Sequence, residues 1–112
     1  MRHRLNGNSV DLVRCPGDLS AQHMVRIKSR FQRLMNQKRR FFVMDLSEAH
    51  HVELAGLGIL VDRIRQVRAK RGDVRLFNIR PEVLEIFRMV GLTQVIPTFV
   101  NEEEARQSFQ VA

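Results

Sequence analysis

Tryptophan and tyrosine are absent from this sequence, and cysteine occurs only once. The single thiol, Cys15, cannot form an internal disulfide, and no second cysteine completes a metal-binding pattern with it. We interpret Cys15 as a small buried residue rather than a reactive thiol, since no histidine neighbours it in sequence. The 7 phenylalanines are the whole aromatic set, so the chain also lacks the Trp and Tyr on which nucleic-acid bases stack.

Long hydrophobic runs are missing as well. No apolar run is long enough to span a bilayer, and the stretch MRHRLNGNSVDLVR lacks the apolar core of a signal peptide. We therefore expect a cytoplasmic protein without membrane insertion. The 112 residues, of which 44% are hydrophobic and 28% charged, predict one soluble globular domain over residues 1–112.

Acidic residues are outnumbered, because 19 Lys and Arg stand against 12 Asp and Glu, which gives a net charge of +7. Such a surplus suits an acidic protein surface or a polyanion. The stripe of Arg26, Arg30 and Arg33 on the first predicted helix is interpreted as a solvated face. A small basic nucleic-acid-associated protein is the alternative hypothesis, but no nucleic-acid-binding motif occurs.

The chain does contain a regular alternation of strand-like and helix-like segments. Asn6 followed by Gly7 predicts a hairpin of two short antiparallel strands. Ser20 predicts the N-cap of a helix that extends to about Gln37. Residues 41–46 form a nearly continuous apolar run, which is typical of a strand that is covered on both faces.

A second helix is predicted to begin near Gly56 and to end at Gly72. Its apolar stripe consists of Leu57, Leu60, Val61, Ile64 and Val67. A strand over 74–79, a short helix from Pro81, an extended segment and a last helix capped by Asn101 follow.

This order predicts a small mixed, mainly parallel sheet with an N-terminal antiparallel hairpin, packed with about four helices. The alternative is a fragment of a doubly wound nucleotide-binding fold, but neither of that fold's glycine-rich phosphate motifs occurs.

Several motifs in this order resemble the STAS domain, the fold of bacterial anti-sigma factor antagonists. A strand ends in MDLS (44–47), AGLG (55–58) opens a helix, the strand VRLFNI leads to PEVLEIFRMVGL, and VIPTFVNEEEA closes the chain. CPGDLS (15–20) fits the family's Gly-Asp-Leu turn into its first helix. The resemblance covers nearly the whole chain and implies the STAS fold.

The resemblance also implies a function. STAS domains of this type are non-catalytic and bind a protein partner, often a kinase-like anti-sigma factor, so we expect such a partner or another signalling component. No cofactor and no metal are expected. Nothing in the sequence predicts the oligomeric state.

In the family, a Ser or Thr in an Asp-Ser-Ser/Thr-Gly motif accepts a regulatory phosphate. The resemblance aligns this motif with Glu53, Leu54, Ala55 and Gly56. Leu54 and Ala55 carry no hydroxyl group, so neither can accept a phosphoryl group and the usual switch is expected to be lost here. Whether Ser47, Ser20 or Thr93 is phosphorylated instead stays open.

The predicted partner-binding set lies around this motif and the turn before the first helix. It consists of Asp18, Ser20, His50, His51, Glu53, Leu54, Gly56 and Gly58. Asp18 has either a structural role in its turn or a direct contact with the partner.

Other interpretations of these residues are weaker. His50, His51 and Glu53 lack a further Cys or His to complete a metal site, and Ser47 with His51 lacks the orienting group that catalysis needs. Glu53 is predicted to cap the following helix. Leu54 either turns inward or anchors an interface.

Overall fold

The structure, a computed structural model, describes residues 9–109. Four strands form one sheet in the order β1-β2-β3-β4. The strands are β1 Val10–Arg14, β2 Phe41–Asp45, β3 Asp73–Phe77 and β4 Thr98–Phe99. The helices are α1 Ala21–Asn36, α2 Leu54–Ala69, α3 Pro81–Met89 and α4 Glu102–Gln107, with a 3-10 turn over Leu92–Gln94 after α3.

All three strand pairings in the described sheet are parallel, so the predicted antiparallel hairpin is not found there. Each helix returns the chain to the edge where the strands begin, and the next strand therefore runs in the same direction. The hairpin's predicted second strand, β1, pairs in parallel with β2. Asn6, Gly7 and the predicted first strand lie outside the described residues.

The sheet is covered on both faces, as the apolar run of β2 predicted. On one face, Phe42 and Met44 pack with buried residues of α1, α2 and α3. On the other face, Val43 packs in a second cluster with Ala105 of α4. The ring of Phe31 in α1 meets that of Phe42 edge-on, with 4.9 Å between the ring centroids. No helix within residues 9–109 is long and apolar enough to cross a membrane.

The predicted caps of the first and last helices are confirmed. Ser20 Oγ accepts a hydrogen bond of 3.1 Å from the backbone N–H of His23, which fixes the start of α1. Asn101 Oδ1 accepts one of 2.8 Å from the N–H of Glu104 at the start of α4.

Both ends of α2 differ from the prediction. The helix begins at Leu54, two residues before Gly56, and the side chain of Glu53 at the N-cap position makes no capping hydrogen bond. The helix ends at Ala69 rather than at Gly72, and Arg71, with φ 66°, adopts the left-handed conformation after the helix. Gly72 is needed for a different reason, since a Cβ there would lie 1.9 Å from the carbonyl oxygen of Arg40.

Candidate protein-docking site

Two loops meet at the edge of the sheet where β1 and β2 end. Residues 15–20 follow β1 and residues 46–53 follow β2, and the carboxyl ends of neighbouring parallel strands lie side by side. The loops are joined by a single parallel bridge between Leu19 and Val52. Leu19 N–H donates to the His51 carbonyl at 3.0 Å, and Glu53 N–H donates to the Leu19 carbonyl at 2.9 Å.

The carboxylate of Asp18 holds the two loops together. Its Oδ1 accepts hydrogen bonds from the backbone N–H groups of His50, at 2.8 Å, and His51, at 3.0 Å. These two bonds lower the pKa of Asp18, and the charges of the same histidines lower it further. These bonds give Asp18 a structural role, one of the two possibilities that the sequence left open, and its contact with a partner stays a prediction.

His23 was not predicted and supports the same turn from α1. Its Nδ1–H donates to the Asp18 carbonyl at 2.8 Å, a bond that requires the proton on Nδ1 because a carbonyl oxygen only accepts. Its position in the first turn of α1, three residues after the Ser20 cap, is the sequence signal that could have identified it.

Gly56 lets α2 approach the loop after β1. A Cβ at this position would lie 2.3 Å from the Leu19 carbonyl oxygen and 2.8 Å from the Ser20 carbonyl carbon, both backbone atoms that cannot move aside cheaply. Gly58, in the same turn of the helix, is exposed, and a Cβ added there would meet no neighbouring atom within 4 Å. The two glycines of AGLG therefore differ: Gly56 is buried by packing, and Gly58 belongs to the surface.

Leu54 is the first residue of α2, and 84% of it is exposed. The inward orientation that the sequence left open is therefore wrong. Ala55, Glu53, His50 and His51 are also exposed around it. The predicted partner-binding residues thus surround a large apolar side chain that the fold itself does not use.

A groove begins at Leu54 and extends between α2 and the turn that follows α3. It has a volume of about 570 Å³. Val90 and Val95, which flank Gly91 and the 3-10 turn, are 53% and 58% exposed on its far wall. Sequence reasoning missed this wall, although the valines on either side of Gly91 in MVGLTQV were a usable signal. The exposed apolar side chains form one continuous surface with the Leu54 end of α2.

The other chemical groups near this edge are engaged or isolated. Within residues 9–109, no group of three or more His, Cys, Asp or Glu side chains could hold a metal ion. Burial raises the pKa of the Cys15 thiol, which donates to the Gly17 carbonyl at 3.1 Å. Ser47 N–H donates to Asp45 Oδ1 at 2.9 Å, on the border of a second cavity of about 580 Å³ at the ends of β3 and β4.

Comparison with known proteins agrees with this architecture. The model of the STAS domain family matches residues 6–105. The anti-sigma F factor antagonist of Paenibacillus polymyxa is 24% identical over 102 residues, which are 89% of this chain and 86% of that protein.

Two solved structures have the same fold. The structure of TM1081 from Thermotoga maritima has a TM-score of 0.81 at 15% identity and covers 97% of this chain and 88% of that one. The anti-sigma factor antagonist SpoIIAA of Bacillus, in its unphosphorylated form, has a TM-score of 0.73 at 20% identity and covers 95% and 93%. Since the family model spans most of the sequence, the chain belongs to the STAS domain family.

Proposed function

We propose that this chain is a non-catalytic regulatory domain that binds another protein through the surface around the start of α2. This docking surface consists of the loops at Asp18, Ser20, His50, His51 and Glu53, the helix start at Leu54, Gly56 and Gly58, and the groove to Val90 and Val95. The relatives named as anti-sigma factor antagonists support an anti-sigma factor, or a similar signalling protein of transcription regulation, as the partner class. Such a role places the domain in the cytoplasm.

The observation that carries this proposal is the 84% exposure of Leu54. A leucine at a helix start contributes nothing to the fold when it is exposed, whereas burying it against a partner is worth about 1.5–3 kcal/mol. The groove beside it offers further apolar contact, and the hydrogen bonds of Asp18 present the two loops in a fixed arrangement. A preformed surface costs less ordering entropy on binding than a flexible one.

The proposed domain is not switched by phosphorylation at this surface. The family's phosphoacceptor positions correspond to Leu54 and Ala55, which offer only carbon atoms. A phosphate there would add a dianion to an interface and disrupt apolar contacts. Without a phosphoacceptor, the docking surface is always able to bind its partner. Regulation must therefore act on the partner or at another position of this chain.

Affinity capture from the native host, followed by mass spectrometry, tests the proposal. Leu54→Glu is expected to lose the captured partner because it places a charge in an apolar interface. Val100→Glu is the matched control, since Val100 is 74% exposed and follows β4, the strand that lies farthest from β1 in the sheet. A partner that both variants retain equally would contradict docking at Leu54.

A further inference from the structure

Most of the basic residues of the chain lie on α1 and α2 after their first turns, or directly after the two helices. Residues 26–40 and 63–71 together hold 12 of the 19 Lys and Arg residues and none of the 12 Asp and Glu residues. α1 and α2 both finish there, at the edge where β2 and β3 begin. This distribution gives the later turns of the two helices, and the residues that follow them, an excess of positive charge.

A small polar pocket opens between the two helices at this end. It has a volume of about 180 Å³, and a water molecule occupies about 30 Å³ of liquid, so it has room for an ion of phosphate or sulfate size. Its lining contains two cations and no carboxylate: Gln32, Met35, Asn36, Arg40, Gln66 and Lys70.

Arg63 lies in α2 beside this pocket and is the unusual residue of the helix pair. It is 3% exposed, and its buried Nε has no hydrogen-bond partner. Its Nη1 donates to Gln32 Oε1 at 3.1 Å, and no carboxylate within residues 9–109 forms an ion pair with it. A guanidinium group stays charged, and a buried charge without a counter-charge is costly.

A chain of hydrogen bonds orients two of the three amide groups that line the pocket. Gln32 accepts from Arg63 through its oxygen and donates through Nε2 to Asn36 Oδ1 at 2.9 Å. Each of these two oxygens accepts one hydrogen bond, which fixes the orientation of both amides and leaves one N–H of Gln32 and both N–H groups of Asn36 to donate to a ligand. Gln66 donates to Asp62 Oδ2 at 3.1 Å and keeps an oxygen as an acceptor.

The negative C-terminal ends of the α1 and α2 helix dipoles disfavour a bound anion, but the nearby cations outweigh them. Each helix C-terminus carries about half a negative charge, so the two together offset roughly one of the three cations Arg40, Arg63 and Lys70. These cations are also not needed as caps, since backbone N–H groups already bond the terminal carbonyls. Gln37 N–H donates to Leu34, Lys38 N–H to Met35, Arg71 N–H to Arg68 and Gly72 N–H to Val67.

We infer that this pocket binds a phosphate group, held by Lys70, Arg40 and the amide donors of Gln32 and Asn36, with Arg63 as the buried charge behind them. Bound phosphate supplies the negative charge that Arg63 lacks. The phosphate group can come from a free small molecule or from a lipid headgroup. The site lies at the opposite end of α1 and α2 from the docking surface, so its occupancy and partner binding are separate properties.

Titration of the isotopically labelled protein with sodium phosphate at constant ionic strength tests this inference by NMR. We expect the side-chain amide signals of Gln32, Asn36 and Gln66 to shift and saturate with one dissociation constant on the order of 1 mM, as about two charge-assisted hydrogen bonds would give. Lys70→Gln and Arg40→Gln are each expected to weaken binding about tenfold. Arg88→Gln removes an exposed cation of α3 and is expected to change nothing.

The variant Arg63→Met distinguishes phosphate binding at this pocket from a general effect of salt on the charges of the protein. In phosphate-free buffer this variant is expected to melt no lower than the wild type, because an unpaired buried charge is replaced by an apolar chain. The wild type should gain more stability from phosphate than Arg63→Met does, since salt effects without a site act on both alike. Equal gains in both proteins, shifts that do not saturate, or equal losses in Lys70→Gln and Arg88→Gln would each overturn the inference.

Two further titrations distinguish the sources of the phosphate group. A nucleoside monophosphate that shifts the same amides identifies a free phosphomonoester, and cosedimentation with phosphatidylglycerol vesicles that Lys70→Gln abolishes identifies a lipid headgroup. If duplex DNA shifts signals along all of α1 and phosphate alone shifts none, the basic residues bind polyanions as an extended surface. That result would overturn the inference of a phosphate pocket.

Discussion

The two ends of the α1–α2 helix pair are packed alike but differ in charge. Residues 44–54 at the docking end hold three acidic residues and no Lys or Arg, whereas residues 63–71 at the other end hold five basic residues and no acidic one. At both ends a glycine allows backbone contact: a Cβ at Gly56 would lie 2.3 Å from the Leu19 oxygen, and one at Gly72 would lie 1.9 Å from the Arg40 oxygen. A glycine in close contact with a backbone carbonyl fixes each end of the helix pair. The surrounding side chains differ in charge, so each end suits a different kind of ligand.

The largest effect is expected from Ile64→Asp, which removes the core that both ends share. Ile64 lies on the buried face of α2 and is 2% exposed. A buried carboxylate without a partner costs more than the ~1.5–3 kcal/mol of lost apolar burial. We expect the cooperative thermal transition to disappear in circular dichroism. Arg65→Asp places the same carboxylate on the exposed side of the helix and should keep the transition. An unchanged melting midpoint for Ile64→Asp would contradict the packing described for α2.

The next largest effect separates the two glycines of AGLG. Gly56→Ala is expected to destabilise the fold by about 1–3 kcal/mol, because the new methyl group meets the backbone of Leu19. Gly58→Ala has open space and should stabilise the helix by up to about 1 kcal/mol. Urea denaturation measures both, and equal changes of one sign would refute the close approach at the docking end.

A smaller effect is expected from Asp18→Asn, and it depends on pH. The pKa of Asp18 lies below its ordinary value of 3.8, so the folded state prefers the ionised carboxylate. Its contribution is complete above the ordinary pKa and is lost as the pH falls through the folded pKa. The difference in melting midpoint between the wild type and Asp18→Asn should therefore be full at neutral pH and shrink below pH 3.8.

Glu48→Gln is the control for this titration, because Glu48 is an exposed carboxylate of the same loop. Amide signals of His50 and His51 that follow the titration in the wild type and not in Asp18→Asn would locate the effect. A midpoint difference that does not change with pH would count against the loop bridge.

The smallest expected effect is no change: incubation with ATP and a kinase-type anti-sigma factor should leave residues 52–58 of the wild type unmodified. Leu54→Ser with Ala55→Ser restores hydroxyl groups and should make the segment phosphorylatable. Glu53→Asp is a third change to combine with these two, because the family has Asp at this position. The extra methylene of Glu moves the carboxylate by about 1 Å, which is enough to misplace a reacting group. Peptide mapping reads the result, and failure of the hydroxyl variants to accept phosphate, with and without Glu53→Asp, would contradict the alignment of Leu54 and Ala55 with the phosphoacceptors.

Much of the fold was predictable, because it depends on local patterns. The stripe of Leu57, Leu60, Ile64 and Val67 predicted the buried face of α2, and the Ser20 cap predicted the start of α1. The parallel pairing of β1 was not predictable with the same rules, because it is decided by the distant strand β2 rather than by a nearby turn.

The candidate site was predictable only in part. The resemblance placed Leu54 and Ala55 at the helix start, but the exposure of Leu54 depends on how α2 is rotated against the sheet. Glu53 does stand at the N-cap position of α2, but its side chain makes no capping hydrogen bond, and glutamate is not among the residues preferred there. The burial of Arg63 was not predictable either, since arginine is almost never fully buried without a partner.

The most direct test of the docking surface is an NMR titration of the labelled domain with the captured partner. We predict that the backbone signals of residues 17–20, 50–58 and 90–95 change, while those of residues 36–40 and 69–72 at the basic end do not. Changes confined to the basic end, with Leu54 and its neighbours unaffected, would contradict the account.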